Sequence, residues 1–197
     1  MGFLTRHSLE ARGFSTVGNN VQISERASIY GASRISLGSN VRVDDFCILS
    51  AGEGGISIGN NVHIGAAATL IGRGAIELAD FCNLSGRVSI YSSSDDYSGQ
   101  TMTSPMVPEQ YKKVDTRSVS LGRHVIVGCG SVLLPGTTLA EGCAVGALSV
   151  VSGEWPEFTI LAGSPARTRG ERSKALLQLE EEFQAINERP KHSGGPD

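Results

Sequence analysis

The chain has 197 residues, a formal net charge of −3, 40% hydrophobic residues, only 6% aromatic ones and 25 glycines. That length holds one domain of common size, and mild acidity removes the electrostatic footprint of a nucleic-acid or anionic-membrane binder. No apolar run approaches the ~20 residues of a membrane span, and Met1–Glu10 lacks a signal-peptide core, so a cytoplasmic protein without membrane insertion is expected.

Residues 1–16 precede any repeat. Ser8-Leu9-Glu10-Ala11-Arg12-Gly13 reads as a helical turn or two, with a serine N-cap and a glycine stop. Its expected job is to cover the open end of the repeats, because open strand edges recruit other chains. From Val17 the aliphatics Val17, Ile23, Ile29 and Ile35 stand six apart; the phase then slips by two, and Leu37, Val43 and Leu49 carry on. The slip recurs at Ile56/Ile58, Ile76/Leu78 and Val119/Leu121, after which Leu121, Val127, Leu133, Leu139, Val145 and Val151 run six apart without a break.

Neither a helix nor an ordinary strand puts an aliphatic at every sixth residue. A chain that turns a corner every six residues does, since each short flat then delivers one aliphatic inward. Three flats close a triangular coil, and coils stack at strand spacing, roughly 4.8 Å. The fold class is therefore all-β, a parallel β-helix of hexapeptide repeats over 17–160, with a period of ~20 residues per coil. This register stacks Arg42, His63, Asn83 and Ile126 in one outward column and Val43, Ile64, Leu84 and Val127 in an inward one. Cys47, Cys82 and Cys143 take the small corner position beside an aliphatic, and Cys129 follows Val127 by two. Without CxxC spacing, they read as reduced packing residues.

Between Tyr91 and Ser118 the repeat stops. The polar stretch 91–118, with two prolines and no periodicity, reads as a functional loop. After Val151 comes an exit segment and a C-terminal α-helix, together 161–188, the helix running from Arg169 to Glu188 with Leu176, Leu179, Phe183 and Ile186 on one stripe. A disordered tail is expected at 189–197.

The hexad block with LLPGTTL and the exit ILAGSPAR resemble the left-handed β-helix acyltransferases. More narrowly, NVRVDDFCIL, NVHIG, SSSDDYSGQTMTSPMVPEQYKKV and HVIVGCGSVLLPG resemble the sugar acetyltransferases of bacterial surface-polysaccharide pathways, such as the dTDP-4-amino-4,6-dideoxyglucose N-acetyltransferase group. The resemblance implies a left-handed coil and a homotrimer with active sites between subunits. It implies acetyl-CoA as co-substrate, no metal, and a nucleotide-linked amino sugar as acceptor. O-acetylation of a galactoside or polysaccharide hydroxyl is the alternative. It also assigns positions for coenzyme A: Gly128 and Cys129 where the pantetheine passes, Ala147 on the next coil, Ser152 at the prism's end, and Pro165 and Arg167 at the adenine and 3′-phosphate, with Arg169 as a second cation.

Acyl transfer by direct attack on a thioester needs a proton acceptor, donors for the tetrahedral oxyanion and a groove for the long cofactor arm. The galactoside and xenobiotic relatives keep a catalytic histidine in the loop before the last hexad block. No histidine stands there in this chain; Asp95, Asp96 and Tyr97 occupy the place. Asp95 or Asp96 is one candidate base, against a solvated turn with Asp as cap. His63, facing outward beside Asn83, is the other, against an exposed or interface histidine with no chemical role. Asp44, Asp45 and Tyr97 are candidates for holding the acceptor, with an Asx corner as the structural reading of the two aspartates. Lys112, Lys113 and Arg117 are candidates for a diphosphate, against the commoner reading of a solvated loop face. A γ-type carbonic anhydrase would need three zinc-binding histidines, whereas only His63 and His124 lie in the coils.

Overall fold

In the computed structural model, which describes residues 2–187, the six-residue period becomes a three-walled parallel β-helix. The expected tail at 189–197 lies outside the described residues. Coil one runs through Thr16–Val17, Gln22–Ile23 and Ser28–Tyr30, and later coils repeat that course, so the walls hold seven, eight and six strands. Each phase slip opens a coil on wall one, where Leu37, Ile58, Leu78 and Leu121 are register partners. On wall two Arg42 pairs with His63, His63 with Asn83, and Asn83 with Ile126, the outward column that the spacing predicts. Their inward neighbours Val43, Ile64, Leu84 and Val127 join Leu49, Leu70, Ile90 and Leu133 of wall three in one dry stack. Each such side chain contributes about 1.5–3 kcal/mol by leaving water.

The corners obey their own rules. Between walls one and two stand Asn20, Asn40, Asn61, Phe81 and His124, all left-handed with φ between 52° and 62°. Asparagine tolerates that region, and here it also builds a ladder: Asn20 Nδ2 donates to Asn40 Oδ1 and Asn40 Nδ2 to Asn61 Oδ1, each at 3.0 Å. Below the ladder the ring of Phe81 stacks on His124 at 4.9 Å. The small corner residues satisfy carbonyls of the next coil. Cys47 Sγ–H donates to Gly65 O and Cys82 Sγ–H to Gly122 O, both at 3.2 Å, as Ser131 Oγ–H does to Gly146 O at 3.0 Å. Burial pushes the Cys47 and Cys82 thiols up to about 11 and about 12, which keeps them protonated donors.

Both ends depart from the sequence expectation. Helix α1 spans Arg6–Ala11 and is capped by Thr5, whose hydroxyl accepts from the Ser8 N–H; Ser8 is thus the residue whose amide is capped, not the cap. Leu9 of α1 is buried in the core and plugs the prism. At the other end the helix expected from Arg169 starts later: Ala166–Glu171 pairs antiparallel with Thr159–Gly163, and helix α2 spans Ala175–Asn187. The last coil offers an open edge of backbone donors and acceptors, and the hairpin satisfies it before a helix can start. Nor does α2 dock through its full apolar stripe, since Leu179 and Ile186 are exposed. Among the described residues of α2 the buried one is Glu180, paired with Arg123 and 2.6 Å from His124 Nε2.

The stretch read as a loop is a built arm. Ser93–Asp95 pairs antiparallel with Val114–Thr116, and Glu109 is lashed to Arg73 at 2.9 Å and Lys112 at 3.0 Å. Where the arm rejoins the prism, Arg117 N–H donates to Ser92 O at 3.1 Å, and the next coil resumes with Val119 opposite Ile76.

Candidate active site

Wall two gathers the polar cluster. The strand alternation that buries Ile64 turns His63 outward, where Nε2 lies 2.9 Å from Asp44 Oδ2 and Nδ1 lies 3.0 Å from Asn83 Oδ1. Arg42 Nε donates to the other Asp44 oxygen at 2.7 Å. Asp44 is only 8% exposed, whereas 41% of the His63 side chain meets solvent. Burial by itself would raise the Asp44 pKa, but hydrogen bonds from His63 and Arg42 outweigh it and hold the carboxyl below its ordinary value. Asp45 looks the other way, accepting from Ser24 Oγ–H and facing Arg26 at 3.5 Å. The sequence places Arg42 in the column without giving it a part; a cation two residues before Asp44 on an outward position was the available sign.

The arm separates its two aspartates. Both Asp96 oxygens are taken inside the arm, by the Ser98 N–H and by the Thr101 N–H and hydroxyl, and these bonds hold its pKa down to about 2. The Asp95 carboxylate makes no side-chain hydrogen bond among the described residues. Asp95, Tyr97, Lys113 and Asp115 line a groove of about 440 Å³ on the arm. Lys112 and Arg117 are engaged by Glu109 and Asp115, which leaves Lys113 as the groove's cation. Among the described residues no hydrogen bond or ion pair joins Asp95 or Tyr97 to His63 within one chain.

Below the cluster, the corner between walls two and three carries the positions assigned to coenzyme A. A Cβ on Gly128 would sit 2.5 Å from Ala147 N, so only glycine permits this coil spacing. Cys129 and Ala147 are exposed at equivalent places on successive coils, and Leu148 N–H donates to Cys129 O at 2.9 Å. The amide N–H groups of Cys129 and Ala147 donate to no acceptor among the described residues. Two unpaired donors at exposed places on adjacent coils suit an extended, amide-bearing chain laid along the corner. Ser152 is exposed at the prism's end, as are Pro165, Arg167 and Arg169 on the terminal hairpin. Among the described residues no three His, Cys, Asp or Glu side chains group to hold a metal ion.

No protein-family model matches the chain. It is 50% identical over 183 residues to the dTDP-4-amino-4,6-dideoxy-D-glucose acyltransferase of Escherichia coli, across 93% of this chain and 95% of that one. It superposes on a variant of AntD, an N-acyltransferase from Bacillus cereus in complex with dTDP-4-amino-4,6-dideoxyglucose and coenzyme A, with a TM-score of 0.90, 42% identity and coverage of 94% of this chain and 98% of the other. AntD in complex with dTDP and 3-hydroxybutyryl-CoA matches with a TM-score of 0.89, 42% identity and the same coverage. Galactoside acetyltransferase in complex with coenzyme A, at 19% identity and a TM-score of 0.59 over 86% of this chain and 71% of that one, shares the fold.

Proposed function

Since this chain belongs to the dTDP-4-amino-4,6-dideoxy-D-glucose acyltransferase family, we propose that it transfers an acyl group from coenzyme A, acetyl in the reading the sequence favours, to the amine of a nucleotide-linked amino sugar. The observation that carries this reading is the match to AntD in complex with dTDP-4-amino-4,6-dideoxyglucose and coenzyme A, which covers 94% of this chain. The neutral amine attacks the thioester carbon, a C–N bond forms and the C–S bond breaks. The proton shed by the amine passes to His63, and the departing thiolate of coenzyme A is protonated in turn. The nucleotide sugar is held by the arm, with Asp95 and Tyr97 toward the amino sugar and Lys113 toward the diphosphate, while Asp96 shapes the arm. The pantetheine follows Gly128, Cys129 and Ala147, and Arg167 and Arg169 face the 3′-phosphate.

The arm and wall two of one chain do not form a closed site, which supports a homotrimer whose subunits complete one another's clefts. Tyr97 at 93% exposed and Met106 at 89% on the arm, with Phe46 and Leu148 on the corner, are apolar surfaces that a neighbouring copy would cover. Nucleotide sugars and acyl-CoA are cytosolic metabolites, so the proposed place is the cytoplasm and the proposed role is a sugar-modifying step in surface-polysaccharide biosynthesis.

The test is thiol release from acetyl-CoA and from longer acyl-CoA thioesters with a panel of dTDP-, UDP- and GDP-amino sugars, against a blank without acceptor. Turnover with an amino sugar alone is expected. Turnover only with a plain hexose or glycoside would replace the amine reading by the hydroxyl one, and failure to bind any acyl-CoA would remove the acyltransferase reading altogether.

A further inference from the structure

The sequence groups Asp44 with the acceptor-binding residues, but its geometry is that of a brace. Its side chain is 12% exposed, and both carboxylate oxygens are occupied by neighbours on the same wall, Arg42 at 2.7 Å and His63 at 2.9 Å. Arg42 is itself held from above, its guanidinium lying 5.6 Å over the Phe3 ring. A sugar hydroxyl or ammonium would have to displace a cation to reach Asp44. We infer that Asp44 is a positioning residue that acts through His63, fixing which imidazole nitrogen carries the hydrogen and which remains basic. This rests on the reading of His63 as the proton acceptor.

The chemistry is set by donor and acceptor types. An ionised carboxylate only accepts, so Nε2 of His63 must carry its hydrogen and donate it to Asp44. In the neutral ring the basic lone pair is then on Nδ1, on the side of coil four and Asn83. Asn83 presents a two-faced group there. With its oxygen toward Nδ1, as seen, both ring nitrogens face acceptors, the arrangement of a protonated imidazole. A half-turn of the amide puts its NH₂ against Nδ1, the arrangement of the neutral ring. The cluster therefore matches both protonation states by turning one amide, while Asp44 and Arg42 stay in place. For a proton from the attacking amine to reach Nδ1, the Asn83 amide must first swing off that nitrogen; it then returns with its oxygen toward the new N–H, and the same proton is available to the leaving thiolate. The carboxylate keeps its charge throughout, as an orienting aspartate does behind a catalytic histidine.

The experiment uses the intact protein labelled with ¹⁵N at histidine, with His63→Gln to assign the signal. The wild type should show His63, when neutral, with hydrogen on Nε2; a neutral form with hydrogen on Nδ1 overturns the proposal without any variant needing to fold. Asp44→Asn should give a mixture of tautomers and lower kcat by about 10- to 100-fold, with KM for the nucleotide sugar within about twofold of wild type. A raised KM with kcat unchanged would instead make Asp44 a substrate contact, and an unaltered His63 spectrum in Asp44→Asn would also refute the positioning role. Full kcat in His63→Gln removes the proton-acceptor reading on which the proposal rests. Loss of kcat in His63→Gln with normal kcat and tautomer in Asp44→Asn removes the positioning role alone.

Discussion

Wall two carries Arg42, His63 and Asn83 on coils two to four, and Ile126, Ala144 and Ile160 on coils five to seven, in one unbroken register. The inward residues hardly notice the change: Val43, Ile64 and Leu84 above, Val127, Val145 and Leu161 below, all buried. The upper half is a cluster of polar side chains; the lower half presents aliphatic and small side chains, and its unpaired donors, the Cys129 and Ala147 amides, lie at the corner beside it. The fold therefore constrains one residue in two along each flat, and the other is free to be spent on chemistry. The insertion of the arm falls at the boundary between the halves, after coil four.

The largest effect that would sharpen the contrast comes from outward substitutions. His63→Ala should lower kcat by about 10²- to 10⁴-fold while leaving the melting temperature near wild type, whereas Ile126→Ala one coil beyond Asn83 should leave kcat near wild type. Equal losses from both would break the division. Inward substitutions should not respect it: Leu84→Ala and Leu133→Ala, on either side of the boundary, should each destabilise by about 2–5 kcal/mol in chemical unfolding. A smaller effect is expected at the lower corner. Gly128→Ala forces a methyl against the Ala147 amide and should cost about 1–3 kcal/mol, with KM rising for acyl-CoA and not for the nucleotide sugar.

The smallest effect is in acid. Because the Asp44 carboxyl titrates lower in the folded chain than its unfolded value of ~3.9, its contribution to stability is complete above that value. The contribution disappears as pH falls through the lowered folded value. Unfolding curves measured downward from pH 5 should thus fall less steeply in Asp44→Asn than in wild type, and parallel curves would mean that the His63 and Arg42 bonds do not matter in solution.

Much of this was legible beforehand because a hexad is a strong constraint. The pairing of His63 with Asn83 comes from counting aliphatics between Ile64 and Leu84, and the corner role of Cys47 and Cys82 from their place beside Val43 and Leu78. What escaped was whatever depends on competition between local options. Thr5 and Ser8 are both good caps, and only the burial of Leu9 selects the register that makes Thr5 the cap. Arg169 opens a stretch that reads as helical, and the open edge of the last coil claims residues up to Glu171 for a strand. The arm has no period, so the difference between Asp95 and Asp96 is set by Ser98 and Thr101, contacts that no spacing rule announces.

The join at Ser92 and Arg117 has a consequence for how such proteins diversify. The excursion leaves and returns within one hydrogen bond of the same seam, so the free energy of the prism depends only weakly on what lies between. Lengthening, shortening or rewriting residues 93–116 is an inheritable edit with little penalty below it. A lineage built on this scaffold is free to rewrite the arm long before any residue of the aliphatic stack has to mutate.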